Sequence, residues 1–490
     1  MSNCHYNNII FYGNSLNMRT IVLNVLFLYM ALQLSAGGYE IKIKVNGLGG
    51  KEVYLGYYFA DKTYVKDTLL LDENGAGIFT GDKKLDGGLY FLVLPTKTIA
   101  FEFLVTDVQN FALTTDSTDY IGKMKIKGSD ENVYFNEYQR YISKQNKKMA
   151  KLQERLKANE KNADSTKVIK DIMQEMQNEV NTEWKRILKE HPNTFFADII
   201  KAQMNPELPD FKVDEKVGNK DSVMNIMKYY YTKNHYFDNI NFANDKLLRT
   251  QLYYNRLNTF FTQMIFHPDT IIAEGDKVVE KARGNHDVYK YTLEFILNLP
   301  AQTKRMNMDK ILVHFGEKYF LSGQADWVDS TRLEKIRERV VNTKPNLLGT
   351  VAQDFRIVTI DNNIRSLYSV KAKYTILAFW EPNCGHCKKI IPKLHDIYEK
   401  VWQKENVEVF AVMSAAQEKD EWIKFVNDKA LTDWINGYDP YNWFNFKHVY
   451  DVYSTPTIYI LNEKKEIIAK RIEVEQIPEF IESYEKSGGM

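Results

Sequence analysis

Three regimes of hydrophobic spacing follow one another along the chain. From Tyr39 to Val45 apolar and charged residues alternate one for one, which is the period of a half-buried strand. Lys51 to Tyr58 continues in the same manner, and Tyr90–Leu94 and Ile99–Val105 add two more apolar runs. Asn46-Gly47, Asn74-Gly75 and Gly87-Gly88 supply turn chemistry between them. Residues 39–128 therefore predict an all-β module, a sandwich or a barrel.

After Gly128 the period changes to that of a helix. Tyr134, Tyr138, Tyr141, Met149, Leu152 and Leu156 share one face, and Ile169, Met173, Met176, Val180, Trp184 and Ile187 form a second stripe. Asn162 to Ser165 separates them, so the pattern predicts an antiparallel helical hairpin with charged, solvated outer faces. Further helices are expected over 221–231, 245–264, 270–283, 285–297, 307–319 and 330–341, punctuated by prolines. Residues 129–345 read as an all-α middle region without solenoid periodicity.

From Pro345 onward strands and helices alternate. Strands are expected at 375–380, 407–412, 457–461 and 466–472, and helices from Cys384 to about Lys404, at 420–428 and at 477–486. That order predicts an α/β domain over 346–490.

Composition changes this picture only in its limits. A chain of 490 residues exceeds one hydrophobic core, in keeping with about three domains. A formal net charge of +1 removes the electrostatic footprint of a general nucleic-acid binder. The N-terminus reads as an export signal. Met18 and Arg19 precede the apolar run from Ile21 to Leu34, and Leu34-Ser35-Ala36 offers a small-residue cleavage site. Residues 1–36 are then a signal peptide whose true start is Met18, and a retained anchor is the alternative. Cleavage would remove Cys4 and leave a mature chain without a transmembrane span and with two cysteines, Cys384 and Cys387, in a compartment where thiols can be oxidised.

Those two cysteines carry the one specific chemical motif. In Trp380-Glu-Pro-Asn-Cys384-Gly385-His386-Cys387 the sulfurs lie one helical turn apart, close enough for a disulfide to form and break without moving the backbone. Cys384, at a helix start, would meet unpaired N–H groups and the positive end of the helix dipole, both of which favour its thiolate. His386 would add a titratable cation, and Cys387 would act as the resolving thiol. A plain stabilising disulfide is weakened by the short loop, and a thiolate zinc site by the lack of further cysteines. His191, His235, His267, His286 and His314 are scattered without ligand spacing, so no metal is expected.

The segment from about Leu348 onward resembles the thioredoxin superfamily, in particular the TlpA/ResA-like exported thiol-disulfide oxidoreductases. Trp380 through Cys387 carries that resemblance, and Ser454-Thr455-Pro456-Thr457 before a strand resembles the family's cis-proline loop. The resemblance implies a cis Thr455–Pro456 bond beside the cysteines, with the Thr455 backbone offered to a substrate peptide. Residues 420–451 then read as the insertion typical of this branch. Gly385-His386 is the dipeptide of protein disulfide isomerases, whose potential of about −180 mV lies well above the roughly −270 mV of thioredoxin. Two departures concern the proton of the resolving cysteine: the family's acid in the preceding strand is replaced by Ala378, and the acid after the second cysteine by Ile390. Glu381 is the nearest carboxylate in sequence, but strand phase points it to solvent. The β-rich and helical regions resemble uncharacterised domains that precede thioredoxin-like domains in exported envelope proteins, with His191–Phe196 and His314–Phe320 carrying the second likeness.

The expectation is an exported oxidoreductase of the periplasm or cell envelope. It would exchange disulfides with protein thiols through Cys384 and Cys387, with a thiol-disulfide electron-transfer partner and no cofactor beyond its own redox-active pair. A protein-binding or scaffold module with little turnover is the alternative.

Overall fold

The computed structural model describes residues 38–214, 218–303, 305–402 and 405–488. The expected signal segment, Met18 and Cys4 lie outside the described residues. The chain divides into two compact units, Met1–Arg256 and Leu257–Met490, so the helical stretch expected as one region over 129–345 is shared between them.

The first unit opens with eight strands: β1 (Tyr39–Asn46), β2 (Glu52–Phe59), β3 (Lys62–Leu70), β4 (Ala76–Gly81), β5 (Gly88–Val93), β6 (Ile99–Val105), β7 (Asn110–Asp116) and β8 (Lys125–Lys127). They form two four-stranded sheets, ordered β4-β1-β7-β8 and β3-β2-β5-β6. Ile41, Ile43 and Val45 of one sheet share a core with Leu55, Leu92 and Phe103 of the other, which makes the module a sandwich. Gly56 lies in β2 where a Cβ would fall 2.1 Å from the Phe91 ring, so only glycine fits between these strands.

Helices α1 (Asp130–Ala158) and α2 (Ala163–Glu190) are the expected hairpin, with Leu152, Ile169 and Met176 packed between them. Ser129 and Asn162 cap their N-termini. The Asn132 side chain bonds both backbone groups of Leu104 and so ties α1 to β6. Helix α3 (Phe195–Gln203), which the spacing did not announce, is capped by Thr194, and α4 (Lys220–His235) follows. The single helix expected over 245–264 is broken. A 3-10 turn at Asp245–Arg249 ends where the Thr250 hydroxyl donates to Leu247 O and accepts from Leu252 N–H, competing with the helical ladder. Helix α5 (Leu252–Thr259) and a π turn (Phe260–Met264) resume the path.

In the second unit α6 (Pro268–Ala282), α7 (His286–Asn298), α8 (Asp309–Phe315) and α9 (Ser330–Thr343) precede the α/β domain. That domain runs β9 (Arg356–Thr359), β10 (Ile364–Ser366), β11 (Tyr374–Trp380), α10 (Cys387–Ile397), β12 (Val407–Met413), α11 (Lys419–Asp428), β13 (Ile435–Tyr438), α12 (Phe446–Val449), β14 (Thr457–Asn462), β15 (Ile467–Lys470) and α13 (Ile477–Lys486). The sheet order is β10-β9-β13-β12-β11-β14-β15. β11 pairs parallel to β12 and antiparallel to β14, and all seven of its residues are buried. Its two faces feed two cores: Ile376, Ala378 and Trp380 join one, Leu377 and Phe379 the other. A central strand covered on both faces delivers the cysteine motif at its C-terminal end. No helix of the described residues is long and apolar enough to cross a membrane.

Candidate functional site

Phe379 of β11 pairs with Thr457, the first residue of β14, so the turn after Trp380 and the loop before Thr457 emerge side by side. The Thr455–Pro456 bond in that loop is cis. The Cys384 thiol donates to the Thr455 carbonyl at 3.3 Å, which places the first cysteine directly against the proline loop. Cys384 and Cys387 are free thiols with unlike surroundings: Cys384 is partly exposed, Cys387 wholly buried among Ile391, Trp380 and their neighbours.

Helix α10 begins at Cys387 rather than at the expected Cys384. The Cys384 carbonyl still accepts from the Lys388 N–H at 3.0 Å, so Cys384 sits one turn ahead of the helix, at its mouth. Burial alone would raise the Cys384 pKa. Hydrogen bonds from the backbone of Cys387 and His386, from the Thr455 side chain and from the Cys387 thiol outweigh it, and the net result lies below the ordinary thiol value. His386 thus acts on Cys384 through its backbone, while its side chain is exposed. Gly385 is exposed, and a Cβ there would meet nothing within 4 Å.

Cys387 is shifted the other way. Burial dominates, a backbone hydrogen bond from Glu381 and the Thr455 side chain oppose it, and the adjacent Cys384 adds to the rise, which reaches about 12. No carboxylate stands among these causes. Glu381, expected to face solvent, is half-buried, and its carboxylate accepts from the Ser414 hydroxyl at 3.2 Å. Trp380 is fully buried against Phe425, with ring centroids 5.2 Å apart.

Two features escaped the sequence reading. His395 of α10 lies 2.8 Å from Asp433, and with Glu399 they bring one potential ligand atom each within 4.8 Å of one another, a set able to hold a divalent cation. Its only sequence signal was the His-x-x-x-Glu spacing on one helix face. The second is Tyr453, two residues before Thr455. It is exposed, and its hydroxyl accepts from the Asn342 side chain of α9 at 2.8 Å. Nothing local in the sequence pairs these two positions.

Residues 372–468 match the family model described as thioredoxin-like. Among solved structures, the chain is similar to a domain of a possible thiol-disulfide isomerase from Cytophaga hutchinsonii, at 42% identity over 29% of this chain and 95% of that one, with a TM-score of 0.28. It is also similar to a thioredoxin-like protein from Bacteroides caccae, at 20% identity over 57% of this chain and 98% of that one, TM-score 0.45. The thioredoxin domain of a thiol-disulfide oxidoreductase from Bacteroides vulgatus is 20% identical over 28% of this chain and 96% of that one, TM-score 0.26. No curated protein matches the chain.

Proposed function

Because the C-terminal part of this chain is a thioredoxin-like domain, we propose that the protein is an exported thiol-disulfide oxidoreductase of the periplasm or cell envelope, exchanging disulfides with client proteins through Cys384 and Cys387. The observation that carries the reading is the asymmetry of the two sulfurs: one partly exposed and biased toward thiolate beside a cis-proline loop, the other buried and held as thiol.

In the reducing direction the Cys384 thiolate attacks one sulfur of the client disulfide. The client S–S bond breaks, the other client sulfur leaves as thiolate, and a mixed disulfide links Cys384 to the client. This step also readies the second. Cys384 raises the Cys387 pKa through its charge and its hydrogen bond, and both contributions vanish once the Cys384 sulfur is bonded to the client. Cys387 then gives its proton to the departing client thiolate or to water and attacks Cys384, releasing the reduced client and leaving the Cys384–Cys387 disulfide. Two electrons pass from the protein to the client, and an external dithiol must restore them. Thr455, whose carbonyl already meets Cys384, presents the strand-like edge on which a client backbone would lie.

Trapping tests the reading. A Cys387→Ala variant should accumulate mixed disulfides through Cys384 with envelope proteins, visible on a non-reducing gel and reversed by dithiothreitol. If none forms, the central step is lost. That no carboxylate stands among the groups shifting Cys387 favours a second reading, a scaffold module with little turnover. That reading would be supported by trapping without multiple turnovers of a disulfide substrate. A redox potential near the roughly −180 mV of disulfide isomerases, rather than about −270 mV, is expected from Gly385-His386.

A further inference from the structure

The second unit contains a cavity of about 1270 Å³ lined on one side by the chain from Leu297 to Arg339 and on the other by Lys470 to Ser483. Its second wall starts beside β14, the strand that follows the proline loop. Arg471 follows β15 and donates its N–H to Ile458 at 2.9 Å, two residues past Pro456. The Arg471 guanidinium holds Asp451, at the other end of the proline loop, at 2.6 Å. The first wall reaches the same loop, since Arg339 stands 5.9 Å from the Tyr453 ring centroid. Both walls therefore contact the loop of Asp451–Pro456, whose Thr455 carbonyl meets Cys384.

Its chemistry is uneven. Met306, Ile472 and Phe480 give it a half-buried apolar floor packed against the domain core. Lys470 is neutralised by the half-buried Asp309, and Arg471 by Asp451. Arg305, Lys335 and Arg339 are exposed, and none has a carboxylate within ion-pair distance among the described residues. Glu473 and Glu479 lie on the opposite wall, so the excess positive charge lies on the helical side, where Arg339 also acts electrostatically on the Asp451 carboxylate. The volume exceeds the roughly 300–1,000 Å³ typical of small-molecule pockets, which favours a length of polypeptide over a metabolite.

We propose that this cavity seats an acidic, partly apolar stretch of the client polypeptide flanking the cysteine that reacts with Cys384. The proposal rests on the thiol-disulfide reading and adds the class of client: proteins whose redox cysteines lie next to Asp or Glu. Arg339 and Lys335 take the carboxylates, and the Met306–Phe480 floor takes an apolar neighbour.

The test uses the full chain with Cys384→Ser, so that binding is read apart from redox chemistry. The probes are short rhodamine-labelled peptides with a central serine flanked by leucine and by glutamate, glutamine or lysine. Fluorescence anisotropy should show the glutamate peptide binding about tenfold or more tighter than the lysine peptide, with the preference shrinking as salt rises. The Arg339→Glu/Lys335→Glu double variant should erase or reverse the preference, and Arg339→Lys should keep most of it. Near-ultraviolet circular dichroism reports whether each variant is folded. Equal binding of the three peptides, or a preference untouched by the charge reversal, overturns the proposal. Single-turnover reduction of hydroxyethyl disulfide by the pre-reduced wild-type chain is measured in parallel. Its failure would sink the oxidoreductase reading while leaving the binding result to be judged on its own.

Discussion

In the sandwich, Tyr58 gives its hydroxyl hydrogen to Glu102 at 2.6 Å, and burial, reinforced by that carboxylate, holds its ionisation far above the usual phenol range. In the α/β sheet, Cys384 is also partly desolvated and its thiol meets the Thr455 carbonyl, but the backbone of Cys387 and His386, the Thr455 hydroxyl and the Cys387 thiol turn the balance toward the charged form. The two sheets bury similar residues and both surround ionisable groups. The sign of the partners separates them. A carboxylate acceptor stabilises a neutral acid and leaves a structural hydrogen bond, whereas convergent donors stabilise an anion and leave a nucleophile. Cys387 shows the same rule inside one site, since burial without enough donors keeps it a thiol.

The largest effect should follow loss of the nucleophile. Cys384→Ser should lower the rate of disulfide reduction at least about a thousandfold while the chain stays folded. In the wild-type chain, iodoacetamide should modify Cys384 with a pH midpoint below that of a free thiol and leave Cys387 unmodified at neutral pH. Reaction at both cysteines alike would remove the contrast on which the comparison stands.

A second ionisable pair in the same unit probes burial with an attractive partner. Lys470 is buried, donates to the Asn346 carbonyl and pairs with Asp309. Burial lowers its pKa, with Asp309 opposing that shift. Asp309→Asn strands the lysine charge in the interior and should cost about 3–5 kcal/mol in urea unfolding. Replacing both residues together, as Asp309→Leu/Lys470→Met, should recover part of that loss, because both charges are gone while the buried Asn346 carbonyl is left without its Lys470 donor.

A slightly smaller effect should appear with pH. The folded state raises the Cys387 pKa to about 12, above its unfolded value. The reduced protein therefore holds this contribution fully below about pH 8.5 and loses it as the pH rises toward the folded value. Compared with Cys387→Ala, the reduced wild-type chain should lose about 3 kcal/mol of relative stability by about pH 11. A pH-independent difference between the two would show that the buried thiol ionises as freely as an exposed one.

How far the sequence led differs by distance along the chain. The strand ending at Trp380, the cysteine spacing and the proline loop are local patterns, and the structure brings them together. The short strands β9 and β13 were not legible: each has four residues, and Gly437 interrupts the second where a Cβ would fall 2.6 Å from Ile357. The helix start moved from Cys384 to Cys387 because residues 384–386 form the turn out of β11. His386 was expected to act as a cation, but its contribution to Cys384 comes from a backbone group that every residue type possesses. The neighbourhood of Arg339, Asn342 and Tyr453 depends on contacts spanning more than a hundred residues, and no periodicity encodes them.

The smallest effect should come from the sandwich and is the sharpest control. Tyr58→Phe removes the hydroxyl that Glu102 accepts, while the ring keeps its packing on Phe91, whose centroid lies 4.7 Å away. Glu102 is only half-buried, so its carboxylate can turn to water instead of remaining stranded. The loss should therefore be about 1 kcal/mol, the net worth of one hydrogen bond, and it should appear in thermal unfolding. The Cys384 alkylation profile should not move, because no group of the sandwich contributes to its pKa. A loss several times larger would mean that the Tyr58–Glu102 pair is a buried ionic feature like Lys470–Asp309. A shifted alkylation midpoint would mean that the sandwich tunes the nucleophile after all, and the division of labour between the two sheets would fall.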